Sequence, residues 1–475
     1  MTDRPGPAVA DGVTAVGKAR GDQGGFGFRL IVPLVIGSLL NPINSTMIST
    51  ALVPIGRDFH AGAVETAWLI AALYLTSAVA QPVMGRVAGV LGPRRVYLTG
   101  LVVVGLAGIA GIEAPSLAFL IGVRAVLGIG TSAAYPAAMT ILRAHSRRIG
   151  RETPRTVLGV LSLAALSSAA VGPSLGGMLT DLAGWHAIFV VNTPLALIGI
   201  VLTVLWLPRD PPRGERAARR VRFDVVGIGL FTVMLVVALF FLMDLRHPRW
   251  PLLPLVAMAG AALGVHSWRR AAPFIDLRMM ARNQALTRSY VRTGVAWALM
   301  YCVMYGFAQW LQDGHGFTAS QAGLITLPMS LVAGVCSLLG ARTKGIRGPL
   351  VLAAAAMLAG CTTLLLLTGS TPALLLIAAA MIFGLPQGLN STGNQAAVYA
   401  QAPAQDVGTA TGLQRTFQYI GAITASSLIG LFYGQRASDA GLHGLAVAMI
   451  VLSALLLVGT VADRTLARHP ARSRP

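Results

Sequence analysis

Arg124 is the residue of this sequence that is best placed for chemistry, because it is an isolated charge in the apolar stretch 116–141. An arginine in hydrocarbon costs at least about 2.5–3.5 kcal/mol, so a partner or a water-filled cavity should lie beside it. We expect the guanidinium to face the interior of a helix bundle and to bond backbone carbonyls or the amides of Asn41 and Asn44. One interpretation of such a residue is a structural clamp between helices.

The carboxylates lie elsewhere. All 17 Asp and Glu residues, and all eight histidines, fall in loops or at the ends of apolar stretches. Proton transfer inside a membrane normally uses a carboxylate or a histidine, and the predicted midplane offers neither. Glu65, Asp181 and Asp313, predicted at the outer mouth, are therefore the candidates for proton coupling. The alternative for each of them is an exposed residue at the membrane interface.

The elements that must position these groups are fourteen apolar stretches, each near the roughly 20 residues needed to cross a bilayer. The chain is 55% hydrophobic and 11% charged, whereas soluble domains carry about 25% charged residues. The sequence predicts an all-α polytopic membrane protein with about 14 transmembrane helices. The predicted spans are 30–55, 64–84, 95–112, 116–141, 157–180, 187–207, 223–243, 251–268, 289–311, 319–340, 349–368, 371–398, 407–433 and 442–462.

The spans fall into groups of six, two and six, which predicts two six-helix bundles with an inserted helix pair. Transporters are often built from such repeated bundles, with the substrate site near the bilayer midplane between them. The predicted segments are a disordered tail (1–27), an N-terminal bundle (28–207), a basic loop (208–222), the inserted pair (223–268), a basic connector (269–288), a C-terminal bundle (289–462) and a C-terminal tail (463–475).

The basic residues orient the molecule. Of the 37 Lys and Arg residues, 30 fall on the side that holds both termini, and four fall in the opposite loops. Cytoplasmic loops are rich in Lys and Arg, so we expect both termini in the cytoplasm and a multi-pass protein of the cytoplasmic membrane. Because the charges are dispersed over short loops, we expect the lipid bilayer as partner and no nucleic acid.

Five sequence motifs, which follow one another along the chain, are similar to motifs of a known protein family. They are Gly85-Arg-Val-Ala-Gly-Val-Leu-Gly-Pro-Arg-Arg-Val96, the stretch from Arg124 to Pro136, Gly172-Pro-Ser-Leu-Gly-Gly177, the stretch from Trp185 to Pro194, and the stretch from Gln309 to Pro328. Together they resemble the major facilitator superfamily, and within it the fourteen-helix branch of drug:proton antiporters. The resemblance covers roughly residues 36–430. The chain departs from the family pattern at Asn44 and Gly89, where aspartate is usual, and at Leu127, where glutamine is common.

The resemblance implies roles for three groups of residues. Arg124 matches the family's arginine of the fourth helix, which is implicated in proton transfer. Gly172, Pro173, Gly176 and Gly177 match the antiporter motif, whose bare surface would allow close packing and rocking of helices. Gly85, Arg86 and Arg94 match the gating loop between the second and third helices.

A cavity for drug-like molecules needs apolar walls with a few polar anchors. The candidate substrate-binding residues are Asn44, Gln81, Tyr135, Tyr301, Tyr305, Gln309, Asn390 and Asn394, with Gln387 and Gln418 as further candidates. Each of them could instead serve in packing or in a hydrogen bond between helices. Since no negative charge is predicted at the centre, we expect neutral or anionic substrates, with Arg124 or Arg415 as counter-charge.

The leading prediction is a monomeric secondary active transporter that exports small amphipathic molecules by alternating access, with the proton as coupling ion and no cofactor. An uncoupled facilitator of a neutral or anionic solute and a non-transporting membrane receptor remain as alternatives. The sequence contains no Gly-rich loop ending in Gly-Lys-Ser/Thr, no cluster with metal-ligand spacing and no nucleophile triad, so neither an enzyme nor an ATP-driven pump is expected.

Overall fold

The computed structural model describes residues 26–150, 155–210, 224–243, 245, 248–270, 273–343, 345–402 and 407–467. Every regular element within these ranges is helical. Most of the predicted tails 1–27 and 463–475, and residues 211–223 around the basic loop, lie outside the described residues.

The helices group as two bundles and an intervening pair. The N-terminal bundle contains α1 (Phe28–Asp58), α2 (Ala63–Leu91), α3 (Pro93–Ile112), α4 (Leu117–Ile149), α5 (Arg155–Ala183) and α6 (Ala187–Trp206). The inserted pair is α7 (Val225–Leu242) and α8 (Leu252–Arg269). The C-terminal bundle contains α9 (Gln284–Asp313), α10 (Ala319–Arg342), α11 (Arg347–Leu364), α12 (Ala373–Gln401), α13 (Val407–Tyr433) and α14 (Asp439–Ala462). Among the described residues, eleven helices are long and apolar enough to span a membrane, which are all of these except α5, α8 and α13.

The two ends of the molecule are called the terminal face, where α1 begins and α14 ends, and the distal face, where α1 ends and α2 begins. Side-chain caps fix several helix starts at the distal face. Ser116 caps α4, Thr318 forms a capping box with Gln321 on α10, and Ser438 caps α14. Each cap gives an otherwise unpaired backbone N–H an acceptor, so these helix starts are well defined.

The inserted pair is attached to the bundles through Asp224. This buried carboxylate accepts the Gly227 amide at 3.1 Å and the Phe274 amide at 2.8 Å, and lies 2.6 Å from His266 Nε2. Burial alone would raise the pKa of Asp224, but these hydrogen bonds and the charge of His266 hold it below its ordinary value. The Phe274 ring in turn lies under the guanidinium of Arg86 on α2. The pair is therefore tied to the N-terminal bundle, and α7 packs against both α2 and α13.

Candidate functional site

Four buried tyrosines meet where the two bundles face each other. They are Tyr74 on α2, Tyr301 and Tyr305 on α9, and Tyr419 on α13. The hydroxyl oxygens of Tyr74 and Tyr305 lie 2.9 Å apart, and the Tyr305 hydroxyl donates to the Ser45 carbonyl at 2.6 Å. Because a hydroxyl has one hydrogen, the Tyr74 hydroxyl must be the donor to Tyr305. This group, the tyrosine centre, therefore joins the two bundles through directed hydrogen bonds.

The rings of the tyrosine centre form a continuous aromatic surface. Tyr301 stacks on Tyr305 with 5.8 Å between ring centroids, and it lies 5.1 Å from Tyr74. Tyr74 lies 5.6 Å from Tyr419. Tyr305 belongs to a π-helical segment of α9, Cys302–Phe307. Such segments occur mostly as single turns within α-helices and are frequent at functional sites. The four rings are thus packed against one another across the interface between the bundles.

Two glutamines complete the tyrosine centre. The Tyr419 hydroxyl donates to Gln81 Oε1 at 2.5 Å, and Gln418 Nε2 donates to the Tyr301 hydroxyl at 3.2 Å. The structure thus brings together Gln81, Tyr301, Tyr305 and Gln418 among the candidate residues. Sequence reasoning missed Tyr74 and Tyr419, whose only signal was a hydroxyl-bearing aromatic residue inside an apolar span.

Arg124 lies beside the tyrosine centre and is 1% exposed. Its Nε donates to the Leu69 carbonyl at 3.0 Å and its Nη1 to the Asn44 carbonyl at 2.9 Å, so it joins α4 to α2 and α1. Its Nη2 has no partner among the described residues, and its charge interacts with Tyr305 and Tyr74. Backbone carbonyls and asparagine amides were the two kinds of partner expected for Arg124. Its hydrogen bonds in the structure go to backbone carbonyls.

Asn44 lies inside the N-terminal bundle. Its amide donates to Asn192 Oδ1 at 2.5 Å and to the Leu40 carbonyl at 2.9 Å, so both amide hydrogens are used there. The Asn41 amide nitrogen donates to the Thr131 hydroxyl, and the two hydrogen bonds described for Arg124 go to backbone carbonyls and not to the Asn41 side-chain oxygen. Asn44 thus supports Arg124 through its backbone carbonyl and not through its side chain.

Asn390 and Asn394 lie in a buried polar network of the C-terminal bundle. Arg292 Nε donates to Asn394 Oδ1 at 2.8 Å, and Arg292 Nη1 lies 3.3 Å from Asp463 Oδ2. Asp463 therefore gives Arg292 a partner inside the bundle. Asn394 donates to Asn390, whose Nδ2 has no partner among the described residues, as is true of Gln387 Oε1.

Aromatic and basic side chains of α4, α12 and α13 come within electrostatic range of one another toward the terminal face. Tyr135 on α4 is 44% exposed and Tyr399 on α12 is 53% exposed, although the two interact electrostatically. Arg143 and Arg415 interact with Tyr399 as well. This part of the terminal face therefore carries aromatic rings and positive charge.

The predicted antiporter motif forms a closed contact near the distal face. A Cβ on Gly172 or Gly176 would overlap Thr46 and the Met47 carbonyl of α1, and a Cβ on Gly177 would overlap the Ala319 carbonyl of α10. Only glycine allows an approach of this closeness. Pro173 adjoins the same contact: its carbonyl accepts from the Thr50 hydroxyl and lies 2.6 Å from the Cβ position of Gly323.

The three candidate coupling carboxylates have different surroundings. Glu65 closes a capping box with the Gly62 amide at 2.8 Å. Asp181 accepts the Ser320 amide of α10 at 2.9 Å, so it joins the bundles at a helix N-terminus. Asp313 lies 3.5 Å from Arg57 of the N-terminal bundle and is 13% exposed. Asp313 is therefore less exposed than Asp181, and it pairs with a charge on the other bundle.

Gln309 lies away from the tyrosine centre. It lines a cavity of about 330 Å³ at the distal face together with Asp313, Arg57 and Arg436. It is one helical turn beyond Tyr305 on α9, which carries it toward the distal end. Its amide nitrogen has no partner among the described residues.

The predicted gating turn is anchored to neighbouring segments at the terminal face. Arg94 donates to the Val204 carbonyl at the end of α6 at 2.9 Å, and Asp210 accepts the Arg95 amide at the start of α3 at 3.0 Å. Arg86 Nη2 donates to the Pro273 carbonyl of the connector at 3.3 Å. Gly85 lies against Pro136 of α4.

Known protein sequences match this chain over nearly its whole length. The family profile described as Major Facilitator Superfamily matches residues 34–426. An uncharacterised MFS-type transporter of Bacillus subtilis, YwoD, is 31% identical over 90% of this chain and 94% of its own length. The methylenomycin A resistance protein of Streptomyces coelicolor is 27% identical over 93% of each chain. A multidrug resistance protein B homolog of Mycobacterium tuberculosis is 28% identical over 72% of this chain and 65% of its own.

Solved structures show the same fold at low sequence identity. The peptide transporter POT aligns with a TM-score of 0.66 at 16% identity, covering 94% of this chain and 97% of that chain. The nucleoside transporter NupG aligns with a TM-score of 0.61 at 13% identity, covering 90% and 98%. The two helical bundles, their shared tyrosine centre and the family match lead to one conclusion: this chain belongs to the major facilitator superfamily and is a membrane transporter, not an enzyme.

Proposed function

We propose that this chain exports small amphipathic molecules across the cytoplasmic membrane in exchange for protons. In this proposal it crosses the bilayer fourteen times, with the terminal face in the cytoplasm, and it works as a monomer without a cofactor. Relatives named as multidrug and methylenomycin A resistance proteins support the export of such molecules. The observation that carries the proposal is the tyrosine centre, an aromatic surface built from both bundles and buried between them.

Alternating access follows from the contacts between the bundles. Near the distal face the bundles are joined by Asp181 with the Ser320 amide, by Ser174 with the Gly323 carbonyl, and by the Val64 amide with the Gly434 carbonyl. Near the terminal face, Tyr135 and Tyr399 are exposed, and in this proposal they line a cleft between α4 and α12. The arrangement fits a carrier that admits its substrate from the terminal face. Transport would then require the distal contacts to break and the cleft to close.

The charge around the pathway favours neutral or anionic substrates. Arg143 and Arg415 lie along the cleft, and Arg124 offers a free N–H beside the tyrosine centre. The described Asp and Glu residues all lie in loops or near helix ends, so no described carboxylate could pair with an organic dication at the centre. Aromatic rings and a few polar donors would then select planar molecules with an acceptor group.

Proton coupling is assigned to Asp313. Its pair with Arg57 spans the two bundles, so opening of the distal face would change both its burial and its charge pairing, which are the two main influences on its pKa. Glu65 and Asp181 are less suited, because each already serves a helix N-terminus. A second candidate function is that of an uncoupled facilitator. This candidate is favoured because the described carboxylates all lie in loops or near helix ends.

Flux measurements in proteoliposomes test the proposal. Vesicles of one orientation are loaded with a neutral, an anionic or a dicationic aromatic compound, with and without a pH gradient across the membrane. We expect the gradient to drive flux of the neutral and anionic compounds, and a Y301A variant to reduce it. Flux that ignores the gradient would favour the facilitator, and selective dication transport would contradict the assignment of substrate class.

A further inference from the structure

The cavity at the distal face contains the elements of a second binding site. It is enclosed by the end of α1, the start of α2, the end of α9 and the loop between α13 and α14, so both bundles contribute to it. Its volume of about 330 Å³ lies at the lower end of the range for small-molecule sites. It lies at the distal end of the molecule, apart from the tyrosine centre, and no residue of that centre lines it.

The polar groups of this cavity are mostly donors. Arg57, Arg436, Gln435 and Gln309 all line it, whereas Asp313 is the one carboxylate among its described lining residues. The two guanidiniums exceed the carboxylate by one positive charge. The carbonyl ends of α1, α9 and α13 lie at the same face and attract the same guanidiniums, which moderates the excess.

Gln309 gives the second, independent indication of a ligand. It is 1% exposed, it lines the cavity, and its Nε2 has no hydrogen-bond partner among the described residues. A buried N–H without an acceptor is costly, and a ligand oxygen would remove that cost. Leu52, Val53 and Ala63 give the cavity an apolar wall, and His60 and Thr66 add two further polar side chains to its lining.

We infer that this distal cavity binds a small aromatic carboxylate. One carboxylate oxygen accepts from Gln309 Nε2, and the charge is shared between Arg57 and Arg436, while the ring lies against the apolar wall. Because the donors come from α1, α9 and the α13–α14 loop, the bound carboxylate links the two bundles. It therefore binds the closed form of the distal face in preference to an open form.

Calorimetric titration of the purified full-length protein in nanodiscs tests the site, with benzoate as probe, and benzamide and benzylamine as its neutral and cationic matches. At constant ionic strength we expect benzoate to bind with a dissociation constant of about 1 mM, the weak end of the affinity scale. Benzamide and benzylamine should bind at least tenfold more weakly, because charge-assisted hydrogen bonds are the strong ones. Equal binding of benzoate and benzamide overturns the inference.

Four variants locate the binding. R436Q should weaken benzoate at least tenfold, whereas R249Q, a distal-face arginine outside the cavity, should leave it unchanged. D313N should strengthen binding, because it removes the competing carboxylate. R415Q removes a charge from the terminal cleft and should have no effect. Loss of binding in R415Q with retention in R436Q would place benzoate in the cleft and overturn the inference.

This experiment is independent of the export proposal. It measures binding without flux, and a Y301A variant should keep its benzoate affinity while losing transport. Failure of the distal site would leave the flux results of the tyrosine centre untouched, and failure of export would leave the benzoate titration untouched.

Discussion

The hydroxyl oxygens of Tyr74 and Tyr305 lie 2.9 Å apart and belong to different bundles. Tyr305 also donates to the Ser45 carbonyl of α1, so one side chain of the C-terminal bundle holds two helices of the N-terminal bundle. These bonds persist only while the bundles keep this relative position. The pair therefore contributes directly to the free-energy difference between the closed and open forms of the distal face.

Replacing Tyr305 by phenylalanine should favour the open form of the distal face. Two hydrogen bonds between the bundles are lost, each with a net contribution of about 0.5–1.5 kcal/mol. The measurement is thiol labelling of A319C, whose native side chain is buried in the α5–α10 contact, in a C336S background. We expect labelling of Y305F to be at least about fivefold faster. Y433F is the matched control, since Tyr433 donates to the Gly306 carbonyl within one bundle. Equal labelling rates in Y305F and Y433F would show that the Tyr305 hydrogen bonds do not hold the distal face closed.

A single methyl group at Gly177 should block closure of the distal face. The Cβ of G177A would overlap the Ala319 carbonyl, which is backbone and cannot move aside as a side chain could. We expect substrate flux in proteoliposomes to fall at least about tenfold while the protein still purifies as a folded monomer. G122A is the control, because no atom lies within 4 Å of the Cβ position of Gly122. Full activity of G177A would show that the close contact is not needed for transport.

Arg292 and Arg288 should differ sharply in their effect on stability. Arg292 is 6% exposed and 3.3 Å from Asp463, so R292Q leaves a buried carboxylate without the nearer of its two arginine partners. We expect R292Q to lower the free energy of unfolding by about 3 kcal/mol. Arg288 is more than half exposed and lies 3.8 Å from the same carboxylate, so R288Q should cost less than about 1 kcal/mol. Denaturant titration in detergent distinguishes the two, and equal losses would show that Asp463 does not depend on Arg292.

Asp313 and Glu65 should differ in their effect on proton coupling. D313N removes the ionisable group that pairs with Arg57 across the bundles, so we expect flux that no longer responds to a pH gradient. E65Q keeps an acceptor for the Gly62 amide, as glutamine also serves in a capping box, and should retain the response. The measurement is the pH dependence of flux for both variants. A preserved response in D313N would exclude Asp313 as the coupling group.

Part of this architecture could be predicted from the residues alone. Long apolar helices, and acidic groups at their ends, follow from the cost of placing charge in lipid. The backbone partners of Arg124 follow from the same argument, because a carbonyl is the acceptor that every neighbouring helix provides. Glycine at 172, 176 and 177 predicted a bare helix surface, and the structure has α1 and α10 packed against it.

Other relationships depend on how distant segments meet. Arg292 and Asp463 are separated by 171 positions, so nothing local indicated that an arginine near a helix end would turn inward. Gln309 and Tyr305 were both predicted to bind substrate, although one helical turn of α9 separates the tyrosine centre from the distal cavity that Gln309 lines. Tyr74 and Tyr419 were missed because a tyrosine in an apolar span is typical of packing as well as of a site.

The contact between α5 and α10 differs in kind from that between α2 and α13. At Gly177 and Gly323 the helices touch through main-chain atoms, and no interlocked rings hold them. In the α2–α13 contact, by comparison, the helices meet through the bulky aromatic rings of Tyr74 and Tyr419. The α5–α10 contact can therefore separate with little change of side-chain rotamers, which keeps the barrier to separation low. The same contact has no space for even one added carbon atom.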